Sequence, residues 1–331
     1  MTTKQRADER PDPTLYRKAS IASGGAMDYA GKVRVQRIRN FDLDRTIFRT
    51  LEGAAARAVV KARVAKEVVW NRVATDVVED AYRAVNQTRA LPEVDQTILD
   101  FMLNECDFDV EHADGSFLDH LYFCFEYSAH HFPEHSPLVM LLHSILGTGT
   151  NTFAMTAEKI PALRELLSEF EWAHVEAFPS VLRLLYDFPL RRELRANIDR
   201  FSALDSIEFR RVIDNEPVTM SGEELWTQLN FQLIHLIDFL PVANWATHAN
   251  DTAFILFRDL FDLLSSSGKL AATIEYTPAS GSRTIRGEPR SLTSLLSTFI
   301  PVGVSEKMAA RSVRTFSERI GHSLECRLRW S

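Results

Sequence analysis

Cysteine is scarce in this sequence, and long hydrophobic runs are absent from it. Only Cys106, Cys124 and Cys326 occur in 331 residues, and their odd number and wide spacing exclude a disulfide framework or a zinc knuckle. No apolar run reaches the roughly 18 residues that a membrane helix needs, since even residues 231–245 contain a histidine, an aspartate and a proline. We therefore expect a protein that does not span a membrane and that works in a reducing compartment, the cytoplasm.

Charge is unevenly distributed, although the whole chain carries a net charge of only −7. Residues 1–90 contain 18 basic and 11 acidic side chains, residues 91–260 contain 10 and 28, and residues 261–331 contain 10 and 6. The acidic middle repels phosphate backbones, so nucleic-acid binding there is not expected. We expect instead a small-molecule substrate that is not a polyanion. The oligomeric state cannot be derived from these patterns.

Hydrophobic periodicity predicts a nearly all-helical chain. Residues 1–40 are polar and are expected to form a flexible leader, and residues 41–92 are predicted to form an N-terminal helical extension. A helical domain is predicted over 93–265, followed by a C-terminal extension of a hairpin plus helices over 266–331. The expected fold class is therefore all-α, with terminal extensions and one small β-hairpin near residues 271–286.

Capping signals mark where several of the predicted helices begin. Ser116 and Ser221 each stand three residues before an acid, which is the pattern of a helix start. Ser136 and Pro137 supply a cap followed by proline at the first helical position. The helices predicted after the N-terminal extension cover residues 95–103, 116–132, 136–147, 156–170, 171–186, 190–201, 221–240, 251–264 and 305–320.

Three polar residues, His120, His143 and Asp238, interrupt apolar helical segments of the central region. Burying an imidazole or a carboxylate without a partner is costly, so each needs a hydrogen bond, a salt bridge or a metal. Two imidazoles and one carboxylate form the facial triad of non-haem Fe(II) oxygenases, and the same set suits hydrolysis with Zn or Mn. The alternative is that each residue is a separately satisfied polar group of the core.

The segment Ser116-Phe-Leu-Asp-His120, followed after 22 residues by His143-Ser144, resembles the HD metal-dependent phosphohydrolase superfamily. Leu236-Ile-Asp238 is similar to the helix that supplies a further aspartate in that superfamily. The resemblance covers roughly residues 95–265. It implies an HD-domain-like helical bundle with a metal site built from these residues.

A closer resemblance separates this chain from most of the superfamily. Leu142-His-Ser-Ile-Leu-Gly-Thr148 is similar to an offshoot family that has His-Ser-x-Tyr-Gly-Thr, with Leu146 at the tyrosine position. In the superfamily an aspartate that bridges two metals follows the histidine, whereas Ser144 stands here. A hydroxyl is a poor bridging ligand. This departure argues against a dinuclear site and leaves two alternatives, a mononuclear site of His120, His143 and Asp238 or loss of the metal. It slightly favours oxygenation over phosphohydrolysis.

Further residues are predicted to line the pocket around this site. They are Ser144, Thr148, Asn151 and His235. Cys124 lies in a dense apolar and aromatic segment, where a buried and inert thiol is expected.

The sequence thus predicts a metal-dependent enzyme that acts on a small molecule through His120, His143 and Asp238. The ion is a divalent metal, with Fe(II) preferred and Zn or Mn as alternatives. The competing hypothesis is a metal-free HD-like pseudoenzyme that serves as an interaction or scaffold protein.

Overall fold

A computed structural model describes residues 54–55, 57–58, 93–107, 111–112, 115–243, 250–274, 292–297 and 299–331. The predicted leader, most of the N-terminal helical extension and most of the predicted hairpin lie outside these residues. Within them the chain is mostly helical, and a three-stranded sheet corrects the all-α prediction. No helix of this described part is long and apolar enough to cross a membrane.

The helices are numbered here in chain order. They are α1 (Gln96–Glu105), α2 (Phe117–His131), α3 (Leu138–Leu142), α4 (Ile160–Glu165), α5 (Glu169–Tyr186), α6 (Pro189–Ala196), α7 (Gly222–Ala243), α8 (Thr252–Ser266), α9 (Leu292–Ser297) and α10 (Val302–Arg319). Short 3-10 turns cover Ala157–Lys159 and Ile198–Ala203. The strands are β1 (Glu111–His112), β2 (Gly115–Ser116), β3 (Leu204–Arg210), β4 (Pro217–Ser221) and β5 (Arg327–Trp330).

Side-chain caps begin several of these helices. The carboxylate of Asp95 accepts from the backbone N–H of Thr97 at the start of α1, and Asp251 does the same for Ala253 at the start of α8. Ser221 forms the predicted reciprocal pair with Glu224 at the start of α7. Such caps satisfy backbone donors that the first helical turn leaves over, so these predicted starts are confirmed.

The helix predicted over 136–147 is much shorter than expected. After α3 the chain continues to Leu146 in tight turns, in which backbone bonds such as Ile145 N–H to Leu142 O span only three residues. Gly147 ends these turns with φ of 130°, a conformation that favours glycine. His143 consequently lies at the C-terminal end of α3, where a helix would otherwise have continued.

The sheet has the order β4-β3-β5, with both pairings antiparallel. Along β3 and β4 buried and exposed positions alternate, and the inward set is Ile207, Phe209, Val218 and Met220. This face packs against α7. The period of two is the expected signature of a half-buried strand, and the sequence-based prediction overlooked it because each strand is short.

Four helices enclose the centre of the fold. α2 packs against α3 and α7, and α5 packs against the same two helices. On the outside, α8 packs on α7, and α10 packs on α5 and α8. The described part of the C-terminal extension therefore joins the helical body through α10 and through β5.

The conformation of Gly147 gives a test of the turn that follows His143. A Cβ at Gly147 would lie 2.9 Å from the Phe153 ring, and φ of 130° strains any L-residue. We expect Gly147→Ala to lower the free energy of unfolding by about 1–3 kcal/mol in urea titration. The matched control is Gly303→Ala in α10, where a Cβ meets open space and the change is expected to be neutral or slightly stabilising. Equal stability of the two variants would contradict this account of the turn.

Candidate metal centre

Side chains from the four central helices converge at one point. His120 lies in the first turn of α2, His143 follows α3, His235 lies on α7 and Phe178 lies on α5. His120 and His143 have no exposed surface, and His235 is 5% exposed. A buried imidazole requires a hydrogen-bond partner or a metal ion, and three of them lie together here.

The three imidazole rings are almost equally spaced. Their centroids lie 4.9 Å apart for His120 and His143, 5.0 Å for His120 and His235, and 4.8 Å for His143 and His235. The interplanar angles are 77°, 79° and 71° in the same order. The Phe178 ring covers the group, with its centroid 4.6 Å from that of His143. The rings thus surround a common point instead of stacking.

The tautomer of His143 follows from its backbone contact. Its Nδ1 lies 2.7 Å from the carbonyl oxygen of Met140, and since a carbonyl only accepts, Nδ1 carries the proton. Burial, and next the neighbouring His120, hold the pKa of His143 well below its usual range. The ring is therefore neutral, and its Nε2 presents a lone pair.

That lone pair faces His120. The two Nε2 atoms are 3.0 Å apart, so they can share either a proton or a metal ion. Two imidazole nitrogens that each lie about 2.1 Å from one ion, at an angle of about 90°, are also about 3.0 Å apart. A distal N–H that donates to a backbone carbonyl is the usual support of a metal-binding histidine, and His143 has it.

Cys124 lies one helical turn after His120 and is fully buried. Its Sγ is 3.9 Å from Nδ1 and 4.0 Å from Nε2 of His120. The donor atoms of His120, Cys124 and His143 all lie within 4.8 Å of one another, so this group could hold a metal ion. Sequence reasoning treated Cys124 as an inert thiol, although its four-residue spacing from His120 on one helix was a signal for it.

The other residues predicted for the site occupy different environments. The backbone of Asp238 belongs to α7, but its side chain lies outside the described residues, so its predicted role as a ligand stays a prediction. Ser144 is buried directly after His143. His235, predicted only as part of the pocket wall, supplies the third ring of the cluster.

Thr148 and Asn151 contribute to the loop that follows His143. The Thr148 hydroxyl accepts from the backbone N–H groups of Thr150 and Thr152. The fully buried Arg183 donates to the Thr148 carbonyl and to Asn151 Oδ1. These contacts use both side chains to fix the loop.

No protein-family profile, curated protein or solved structure matches this chain. The resemblance to the HD superfamily therefore stays a prediction from the residues that carry it. The functional interpretation depends on the geometry of the imidazole cluster.

The assignment of the His143 tautomer can be measured directly. In metal-free protein labelled with 15N-histidine, we expect Nδ1 of His143 to be protonated and Nε2 to be unprotonated, because Met140 accepts from Nδ1. We also expect the ring to be neutral at pH 6.5, where an ordinary histidine is half protonated, because burial holds its pKa well below that value. A His143 signal that titrates near pH 6.5, or that shows a proton on Nε2, would contradict this geometry.

Proposed function

We propose that this protein is a metal-dependent enzyme that acts on a small molecule at a mononuclear centre. His120 and His143 are the first two ligands, and the ring of His235 packs against both of them. The observation that carries the proposal is the 3.0 Å approach of two Nε2 atoms, one of which has its tautomer fixed by a backbone carbonyl. Asp238, three residues after His235 on α7, is the remaining candidate for an additional ligand.

The number of ligands decides whether such a centre is structural or catalytic. Closed four-coordinate sites are structural, whereas three protein ligands leave a position for water or substrate. Sγ of Cys124 is almost equidistant from the two nitrogens of His120, so it lies beside the ring instead of in line with the Nε2 lone pair. This position supports a centre in which the thiol packs next to the ion and leaves one position open.

The surroundings of the rings favour oxygenation with Fe(II) over hydrolysis with Zn or Mn. The Phe178 ring packs against His143, and Leu121 and Leu142, the sequence neighbours of His120 and His143, are fully buried apolar side chains. An apolar interior admits dioxygen, which is small and apolar, more easily than it admits bulk water. Fe(II) would supply the redox chemistry, whereas Zn or Mn would activate a bound water. The protein residues keep the His143 imidazole neutral, fix its orientation through the Met140 carbonyl and bury the rings away from solvent.

One observation favours a second candidate function. The 3.0 Å contact between His120 and His143 is also a complete hydrogen bond without a metal, with His120 as the donor. In that case the cluster is structural, and the chain is a metal-free HD-like pseudoenzyme that acts as an interaction or scaffold protein.

A paired measurement on His120→Ala separates the two functions. If His120 binds a metal, the variant loses bound metal, and its melting temperature stays close to that of chelator-treated wild type, because water can satisfy the remaining ligands. If the cluster is structural, the variant is destabilised by about 1–3 kcal/mol plus a cavity cost. Metal content by elemental analysis and melting temperature are measured together.

His322→Ala is the matched control for this measurement. His322 is a buried histidine whose partners are the Ser317 hydroxyl and the Arg210 carbonyl, so its loss is expected to lower the melting temperature without changing metal content. Metal-free wild type together with a His120→Ala variant that melts as low as His322→Ala would refute the enzyme and leave the scaffold. Dioxygen consumption by Fe(II)-loaded wild type, compared with hydrolysis by Zn- or Mn-loaded protein, then identifies the reaction class.

The open coordination position has its own test in Cys124→Ala. We expect this variant to keep the same metal content as wild type, because the imidazoles hold the ion. We also expect Co²⁺-loaded wild type to lack a thiolate charge-transfer band. Loss of metal from Cys124→Ala, together with such a band in wild type, would show a closed site with a sulfur ligand and would contradict a catalytic centre of this composition.

A further inference from the structure

A second group of buried polar side chains lies along α7 from the imidazole cluster. Gln228, Gln232 and His235 are spaced four and three residues apart, so they share one face of the helix. α5 packs against α7 and contributes His174. His174, Gln228 and Gln232 have no exposed surface. The group therefore consists of His174, Gln228 and Gln232, all within the interior.

One contact fixes how these side chains present their remaining polar atoms. His174 Nδ1 lies 2.8 Å from Gln228 Oε1, and since that oxygen only accepts, Nδ1 carries the proton. Burial lowers the pKa of His174 to about 4, so the ring is neutral and its Nε2 is an acceptor. Gln228 Nε2 is a donor. Neither atom has a hydrogen-bond partner among the residues that the structure describes.

Gln232 extends this arrangement towards the metal centre. Its Nε2 donates to the carbonyl of Phe178 at 3.0 Å, and its Oε1 has no hydrogen-bond partner in the described part of the chain. The Phe178 ring in turn packs against His143 and His235, at 4.6 and 5.2 Å between centroids. Phe178 thus lies between the two groups. Along the axis of α7, the distance from Gln228 to His235 is about 10 Å.

Asn230, a structural amide on the same helix, differs from the two glutamines in its hydrogen bonding. Asn230 is equally buried, and its side chain donates to the carbonyls of Trp226 and Lys269 and accepts from the N–H groups of Ala271 and Ala272. All of its polar capacity is used. A partly satisfied buried group is less stable than an apolar one of the same shape, so a structural role does not explain why α7 carries Gln228 and Gln232.

The walls of the group are aromatic. The rings of Phe170 and Phe231 lie 4.5 and 5.4 Å from that of His174. On the outer side the half-buried His135 stacks on Phe170 at 5.1 Å. Apolar walls with a few fixed polar atoms are typical of small-molecule sites, and the neutral His174 gives this one no positive charge for an anion.

We propose that His174, Gln228 and Gln232 form a subsite that binds the neutral, carboxamide-like end of the substrate. An amide offers a donor to His174 Nε2 and an acceptor to Gln228 Nε2, which is the pairing that these two atoms require. The assignment of this ligand to a substrate rests on the proposed function, because the reacting end would then lie beyond Phe178 at the imidazoles. The subsite itself does not depend on a bound metal.

The test uses acetamide as the probe and metal-free, full-length protein at pH 7. Acetamide is titrated while the 15N signals of the His174 ring and the Gln228 side-chain amide are followed. We expect saturable shifts with a dissociation constant on the order of millimolar, as befits so small a ligand. Acetate, which has the same shape and a negative charge, is expected to bind at least ten-fold more weakly. Absence of saturable binding by acetamide, or tighter binding of acetate, overturns the proposal.

The variant His174→Phe/Gln228→Leu removes both partners of the 2.8 Å hydrogen bond without leaving one of them alone. We expect it to melt at or above the wild-type temperature and to bind acetamide at least ten-fold more weakly, as followed by ligand-observed NMR. Asn230→Leu, the structural comparison on the same helix, is expected to melt clearly lower. A double variant that melts as low as Asn230→Leu, or that binds acetamide like wild type, overturns the subsite. The metal content of untreated protein tests the proposed function separately, so the two failures are distinguishable.

Discussion

The burial of three imidazoles at the meeting point of four helices is the constraint on which the centre of this fold depends. A histidine without exposed surface must be neutral and hydrogen-bonded, or bound to a cation. The contact from His143 to the Met140 carbonyl meets half of that requirement within one helical turn. The other half is met across helices by His120, which ties α2 to α3 and fixes their separation. The positions of α5 and α7 then follow, because Phe178 and His235 pack on the same rings.

Much of the helical framework and part of the site could be predicted from the sequence. Local signals were sufficient where they exist: Ser221 with Glu224 marks the start of α7, and apolar faces interrupted by His120 and His143 pointed to residues that need partners. The sheet lacked such a signal, because β3 and β5 are far apart in the chain and β5 has only four residues. The length of α3 was overestimated because apolar periodicity continues through Leu146, although the regular helix ends at Leu142 and tight turns follow it.

In the candidate site, too, the sequence predicts which residues share one helix face but not which helix faces pack together. Helical spacing relates Cys124 to His120, and His235 to Gln232 and Gln228, but no sequence pattern says which faces of α2, α5 and α7 meet. A count of buried polar side chains on each helix is the nearest signal, because the described side chains of α7 include four of them: Gln228, Asn230, Gln232 and His235. Their hydrogen bonds then separate Asn230, whose partners are all protein groups, from the glutamines, which each keep one polar atom without a hydrogen-bond partner among the described residues.

The pairing of β3 with both β4 and β5 also has a consequence for biosynthesis. Ser331 N–H donates to the carbonyl of Ala203 next to this pairing, and these two residues are 128 positions apart. At about 5–20 residues per second, the ribosome needs roughly 6–26 seconds to add that stretch. During this time β3 and β4 can pair while the other edge of β3 stays open, and an open strand edge invites pairing with other chains. The nascent protein therefore passes through a stage in which one edge of β3 is unpaired until β5 has been synthesised.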